Sequence, residues 1–351
     1  MKSVRNKWQL PLKYSVLSLL ALVLAGCGTE NLSSLQPKGE GANMLFDLMV
    51  LSIVIMIAVF LVVIAIYTYV IVRFRKKKGD KDIIPEQVEG NRNLEIIWTV
   101  IPILLLLVLA VPTVAYTFQL ADTSERDAEG SENHVVNVTA HTFWWNFEYE
   151  GEEVTTSQDL YIPTGEKVFV NLSSADVIHS FWVPAIQGKM DTNPGDENIN
   201  TIFLEADEEG VYWGKCAEFC GPSHALMDFR VIAVSPEEFD AWLDDMRQGP
   251  GETDSEVAAA GEEIFAQSCA SCHAVEAGAP GGVGPNLTSF GDRTKIAGFL
   301  DHDKETLKQW IRDPQEFKPG NNMPAFPAEQ ISDEDLDALA EYLLELKVQD
   351  E

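Results

Sequence analysis

Between Cys216 and Met227 the chain reads Cys-Ala-Glu-Phe-Cys-Gly-Pro-Ser-His-Ala-Leu-Met, so two thiols, an imidazole and a thioether fall within twelve residues. Thiolate and thioether are soft donors, which select copper over hard cations. A second imidazole, His179, stands upstream in Asp-Val-Ile-His-Ser-Phe-Trp at the end of a predicted strand, and a sandwich can return it to the loop. A disulfide between Cys216 and Cys220 suits an exterior location but gives His224 and Met227 no role. A zinc site of two Cys and two His has no use for the thioether. A mononuclear blue-copper site takes one Cys, two His and a weak Met, and leaves one Cys over. Two coppers bridged by both thiolates use every donor. Each metal then has two sulfurs, one His and one weak axial group, which for the second copper is a backbone carbonyl, that of Glu218.

A second constellation is Cys269-Ala270-Ser271-Cys272-His273. C-x-x-C-H reads as covalent attachment of haem c, with thioether bonds from both cysteines and His273 as the proximal iron ligand. The rival is a thioredoxin-like redox pair, which needs a parallel βαβ pattern that the surrounding sequence lacks. The sole Met downstream is Met323, in a loop stiffened by Pro319 and Pro324, and the other soft candidate is His302. Met323 is the expected sixth ligand, and Met ligation raises the haem potential. His134 and His302 are read as surface histidines.

The elements that must carry these groups follow from periodicity. Residues 135–139, 166–172 and 229–234 alternate as strands, punctuated by turns at Gly151, Pro163-Thr164-Gly165, Pro194-Gly195 and Glu209-Gly210. They predict an all-β Greek-key sandwich or barrel. A short helix starts at Ser235-Pro236-Glu237-Glu238 and the domain ends near Arg247. After a turn-rich linker, Val257, Gly261, Ile264, Phe265 and Ser268 fall at helical spacing, and Leu336, Leu339, Ala340, Leu343 and Leu344 make a last amphipathic helix.

Two apolar stretches lie ahead of these domains. Leu48 to Val72 holds no charge over 25 positions and Ile96 to Phe118 none over 23, each long enough to cross a bilayer. Soluble helices carry a polar face, which both lack. Arg73, Arg75, Lys76, Lys77, Lys78 and Lys81 lie between them and put that loop in the cytoplasm, leaving both soluble domains outside. Pro102 and Pro112 are expected to bend the second span. At the N-terminus Lys2, Arg5, Lys7 and Lys13 precede a short apolar run ending in Leu24-Ala25-Gly26-Cys27, which resembles the lipobox of a bacterial lipoprotein signal, with Cys27 as the lipidated residue.

Composition narrows the function. The chain has 351 residues, 55 acidic against 25 basic, and a net charge of −30. Phosphate contacts need clustered Lys and Arg, so nucleic acid is excluded as a partner. The 46% apolar content excludes a disordered acidic chain. The acidity is concentrated outside the membrane: residues 119–351 hold 47 Asp or Glu and 13 Lys or Arg, which reads as a solvated surface.

Residues 44–247 resemble subunit II of the haem-copper cytochrome c oxidases, on the strength of the two-helix hairpin followed by C-x-E-x-C-x-x-x-H-x-x-M. The resemblance implies a cupredoxin domain and binuclear copper A held by His179, Cys216, Cys220, His224, Met227 and the Glu218 carbonyl. It also implies a magnesium ion shared with subunit I through the Glu218 side chain, for which carboxylate oxygen is a suitable donor, with Asp191 nearby. Glu95 matches a carboxylate at the mouth of a proton channel. In His141-Thr142-Phe143-Trp144-Trp145, Phe143 stands where that family usually has the Trp through which electrons enter, with Trp144 and Trp145 beside it. Residues 256–351 resemble a class I cytochrome c, in which the Pro of Gly284-Pro285-Asn286-Leu287 holds the proximal His.

The fusion points to caa-type oxidases. It implies a multidomain bacterial cell-membrane protein with a transmembrane hairpin, a cupredoxin-like Greek-key domain and an all-α cytochrome c domain. The expected organisation is a signal peptide over 1–26, an exterior segment over 27–43, spans over 44–72 and 96–118 around a cytoplasmic loop over 73–95, a linker over 119–132, the copper domain over 133–247, a linker over 248–255 and the cytochrome domain over 256–351. Its partners would be subunit I, further oxidase subunits and an exterior donor such as cytochrome c; oxygen reduction would occur in subunit I. Two other classes fit parts of the pattern: a subunit of a copper A nitric oxide reductase, and a non-catalytic copper-carrying lipoprotein.

Overall fold

The structure is a computed structural model that describes residues 31–75, 89–126, 133–279 and 283–349, except Asp196, Glu252 and Asp254, together with the isolated Ser18, Thr29 and Gln87. The signal peptide, Cys27 and the basic residues Lys76, Lys77, Lys78 and Lys81 lie outside the described residues. The chain divides into two units, Met44–Asp122 and the remainder.

The first unit holds most of α1 (Glu40–Phe74) and all of α2 (Arg92–Leu120), which run to 35 and 29 residues against the uncharged stretches of 25 and 23 that predict them. Their most apolar windows have mean hydropathies of 3.4 and 2.7, with none of those residues buried inside the protein, as suits side chains meant for lipid. Asn91 caps α2 by accepting from the Asn93 and Leu94 amides. The helix continues through Pro102 and Pro112, and Glu95 sits in its first turn, where the positive end of the helix dipole favours a carboxylate.

The second unit contains a β-sandwich. Its strands are β1 (His134–His141), β2 (Trp144–Tyr149), β3 (Val154–Ser157), β4 (Asp159–Pro163), β5 (Val168–Ser174), β6 (His179–Trp182), β7 (Met190–Thr192), β8 (Asn200–Leu204), β9 (Gly210–Cys216) and β10 (Asp228–Val234). They form two five-stranded sheets, ordered β3-β2-β1-β5-β8 and β4-β10-β9-β6-β7. Alternation along β1 sends Val136, Val138 and Ala140 inward, where they join Trp145, Phe147, Leu160, Phe229 and Val231 from both sheets in one core. Residues 31–43 lie along this sandwich: the Lys38 amide donates to the Ala185 carbonyl at 2.6 Å and the Trp213 amide to the Asn31 carbonyl at 3.0 Å. Helix α3 (Pro236–Gln248) begins with a Ser235–Glu238 capping box and buries Phe239, Trp242, Leu243 and Met246. His134 is not a free surface residue, because its ring meets the Phe239 edge at 4.8 Å.

The C-terminal region is helical: α4 (Glu256–Ser268), α5 (Lys304–Arg312), α6 (Pro314–Phe317) and α7 (Asp333–Glu345), with a two-residue ribbon of Lys295–Ile296 on Leu300–Asp301 that the all-α expectation omits. The buried face of α4 is Ala258, Gly261 and Phe265, with Ile264 and Ser268 half-buried, so the spacing gives the face correctly except at Val257, which is 51% exposed. Gly261 is where α4 crosses α7, since a Cβ there would lie 2.1 Å from the Ala338 carbonyl oxygen. Backbone cannot yield as a side-chain tip can, so Gly261→Ala should destabilise the region by about 1–3 kcal/mol or more. Val257→Ala should stay within about 0.5 kcal/mol. Denaturant unfolding of the two variants compares them directly, and equal stabilities would show that the crossing is loose.

Candidate metal centre and adjoining cavity

Cys216 ends β9 and Asp228 starts β10, so the cysteine–histidine–methionine segment is the loop joining two paired strands. Strand β6 pairs with β9 on its other edge, with Phe181 opposite Cys216, and this register brings His179 to the loop. The six expected donors converge. The Cys216 and Cys220 sulfurs are 3.9 Å apart. His179 Nδ1 is 3.9 Å from Cys216 Sγ, and His224 Nδ1 is 3.7 Å from Cys220 Sγ. Met227 Sδ lies 3.8 Å from Cys220 Sγ, and the Glu218 carbonyl oxygen 3.2 Å from Cys216 Sγ. A disulfide holds its sulfurs at about 2.05 Å, so these are two free thiols. His179 and Met227 are fully buried, and Trp145 walls the centre with its ring 6.2 Å from His179. The Glu218 and Asp191 side chains are exposed, Asp191 standing opposite Ser180 on β7.

The sequence reading misses Asp176. Its Oδ1 lies 2.8 Å from His179 Nε2, and its oxygens accept from the Thr142 amide and hydroxyl and from the Val177 amide. Burial opposes the charge, but these hydrogen bonds hold the Asp176 carboxyl well below the usual range. The carboxylate therefore orients the ring and keeps Nδ1 free for a metal. The signal was available: an acid three residues before a candidate ligand. At the thiols, the hydrogen bond between Cys216 and Cys220 lowers the Cys216 pKa, with His179 adding to it, and the same coupling raises that of Cys220.

Beside this centre lies a cavity of 340 Å³. Cys269, Cys272, His273 and Met323 line it from the helical region, and Phe143 and Trp144 from the sandwich. His273 Nδ1 donates to the Pro285 carbonyl at 2.8 Å, which leaves Nε2 for another bond. Burial lowers the His273 pKa and pushes the Cys269 thiol up to about 11. His302 is not a surface residue: Nε2 bonds the Phe290 carbonyl at 3.0 Å and the ring leans on Phe290, so it is committed elsewhere and Met323 keeps its place as candidate. Arg293, also unforeseen, is a buried cation in the wall whose Nε has no partner among the described residues, as suits a cavity made for a group bearing carboxylates. Phe143 and Trp145 are buried; Trp144 is half-buried and stacks on His141 at 4.1 Å.

Asp176→Asn keeps the size of the side chain but removes its charge. It should weaken copper binding by about 10–100-fold, measured by competition with a chelator. Unchanged affinity would mean that His179 needs no orienting carboxylate.

Known families resemble the chain along most of its length. Residues 31–116 match the transmembrane domain of cytochrome c oxidase subunit II, 147–234 its periplasmic domain, and 256–343 the cbb3-type cytochrome c oxidase subunit III. Cytochrome c oxidase subunit 2 of Alkalihalophilus pseudofirmus is 50% identical, covering 97% of this chain and 98% of that protein. That of Bacillus sp. strain PS3 is also 50% identical, with the same coverage, and that of Bacillus subtilis is 46% identical over 97% and 98%. Two membrane-capable helices and a cupredoxin-like domain carrying soft metal donors agree with this match, and the chain belongs to the cytochrome c oxidase subunit II family.

Proposed function

We propose that this chain takes up electrons at a covalently bound haem c and delivers them, through a binuclear copper centre, to the oxygen-reducing subunit I of a caa-type haem-copper oxidase. The observation that carries this reading is the sharing of walls: the cavity lined by Cys269, Cys272, His273 and Met323 is closed by Phe143 and Trp144 of the domain in which six soft and carbonyl donors converge. When bound, the haem and the copper pair supply one-electron carriers.

The protein's own groups do the rest. His179, Cys216, Cys220, His224, Met227 and the Glu218 carbonyl would hold the two coppers, and Asp176 fixes the tautomer of His179. Burial beside Trp145 keeps water from the thiolates. Cys269 and Cys272 would carry the thioether bonds, and His273, steadied by Pro285, and Met323 would be the iron ligands. Arg293 would meet a haem carboxylate. The exposed Glu218 side chain, with Asp191, is available for a magnesium ion shared with subunit I. Glu95, at the head of α2, is assigned to the mouth of a proton channel. Both soluble domains lie on the outer face of the bacterial membrane, with Cys27 as a lipid anchor, and cytochrome c or another exterior donor feeds the haem.

Purification of the oxidase through this chain tests the reading. The complex should contain a haem that stays on this polypeptide after denaturation, two coppers in the exterior domain and cytochrome c-driven oxygen uptake. Loss of the haem on denaturation would contradict it, and non-haem iron with nitric oxide reduction would favour the reductase instead. Met323→His should leave the haem attached but lower its midpoint potential in a redox titration; an unchanged potential would remove Met323 from the iron.

A further inference from the structure

The loop that carries His224 and the loop that carries Met323 touch each other. Ser223, next to His224, is 1% exposed, and its hydroxyl donates to the Pro319 carbonyl at 2.7 Å. Gly320 follows Pro319, and a Cβ there would stand 3.4 Å from Pro222 and 3.7 Å from the Phe143 ring. On the opposite side a Cβ at Gly221 would stand 3.1 Å from the same ring. Phe143 therefore packs against a glycine of each loop. Phe143 and Lys318 are buried in the seam while Pro222, Pro319 and Gly320 are exposed, and Lys318 Nζ donates within the helical region to the Ala297 carbonyl at 2.8 Å. Further along, Arg230 donates to the Gly298 carbonyl at 3.3 Å.

We propose that Ser223 is a positioning residue for electron passage within this chain: its hydroxyl seats the Met323 loop on the His224 loop, so that electrons cross a fixed seam and not a swinging tether. The proposal rests on the reading above, that the chain holds both centres. The step it serves moves one electron, with no proton and no bond: the haem iron goes from ferrous to ferric and the copper pair gains that electron. A flexible tether alone holds two domains at about millimolar effective concentration, and each transfer then waits for an encounter. A seated domain has no such wait. Without the hydroxyl the contact loses this hydrogen bond, which favours the unseated state.

The test uses the whole purified oxidase. Haem c is reduced by a flash-excited soluble dye and its reoxidation is followed, with the haem spectrum, the copper absorption band and both midpoint potentials as controls. Wild-type reoxidation should be independent of solvent viscosity. Ser223→Ala should be roughly fivefold slower or more, and viscosity-dependent, with spectra and potentials unchanged. Ser223→Thr, which keeps the hydroxyl, should be faster than the alanine variant. An unchanged rate in Ser223→Ala would overturn the proposal. So would loss of its copper band, which would assign the hydroxyl to the copper loop alone. A wild-type complex lacking either centre, or passing no electron between them, would instead overturn the functional reading.

Discussion

Two sulfur atoms 3.9 Å apart in a buried site cannot both carry negative charge unless positive charge lies between them. Without it, one proton is retained, and the opposite pKa shifts of Cys216 and Cys220 express that conflict. Bound metal cations would resolve it by supplying that positive charge. The rest of the sandwich serves this constraint. Strand pairing of β6 with β9 brings His179 to the sulfurs, Asp176 supplies the counter-charge behind the ring, and Trp145 and Phe229 exclude water. A soft donor set of this kind also disfavours the hard cations that are common outside a cell.

The same loop forms a boundary. Its outer side meets the segment that carries Met323, and Phe143 lies in that boundary. In the proposed path the buried Phe143 ring is covered by the chain's own helical region, which accounts for a redox-inert ring at that position. Polar links across the contact include a serine hydroxyl and an arginine, each donating to a backbone carbonyl.

Much of this was legible in the sequence because the donors are local. Cys216 to Met227 lie on one loop and Cys269 to His273 on one turn, so spacing alone carries the chemistry. The uncharged stretches announce α1 and α2 equally directly, since lipid leaves no room for a polar face. What escaped depends on tertiary contact. Asp176, Arg293 and Ser223 are common polar residues until the fold sets them beside a ligand, a cavity or a second loop. His134 and His302 read as solvent-facing because nothing in their neighbours predicts Phe239 or Phe290 against them. Val257 and Ala258 show the limit of periodicity, which fixes a helical face but not the residue at which it begins.

The central claim is a pair of copper ions merged through two shared sulfurs. Electron spin resonance of the oxidised complex tests it most directly. One unpaired electron, coupled equally to two copper nuclei, is the predicted signal. A spectrum from a single copper nucleus, with the remaining metal silent or absent, would contradict it.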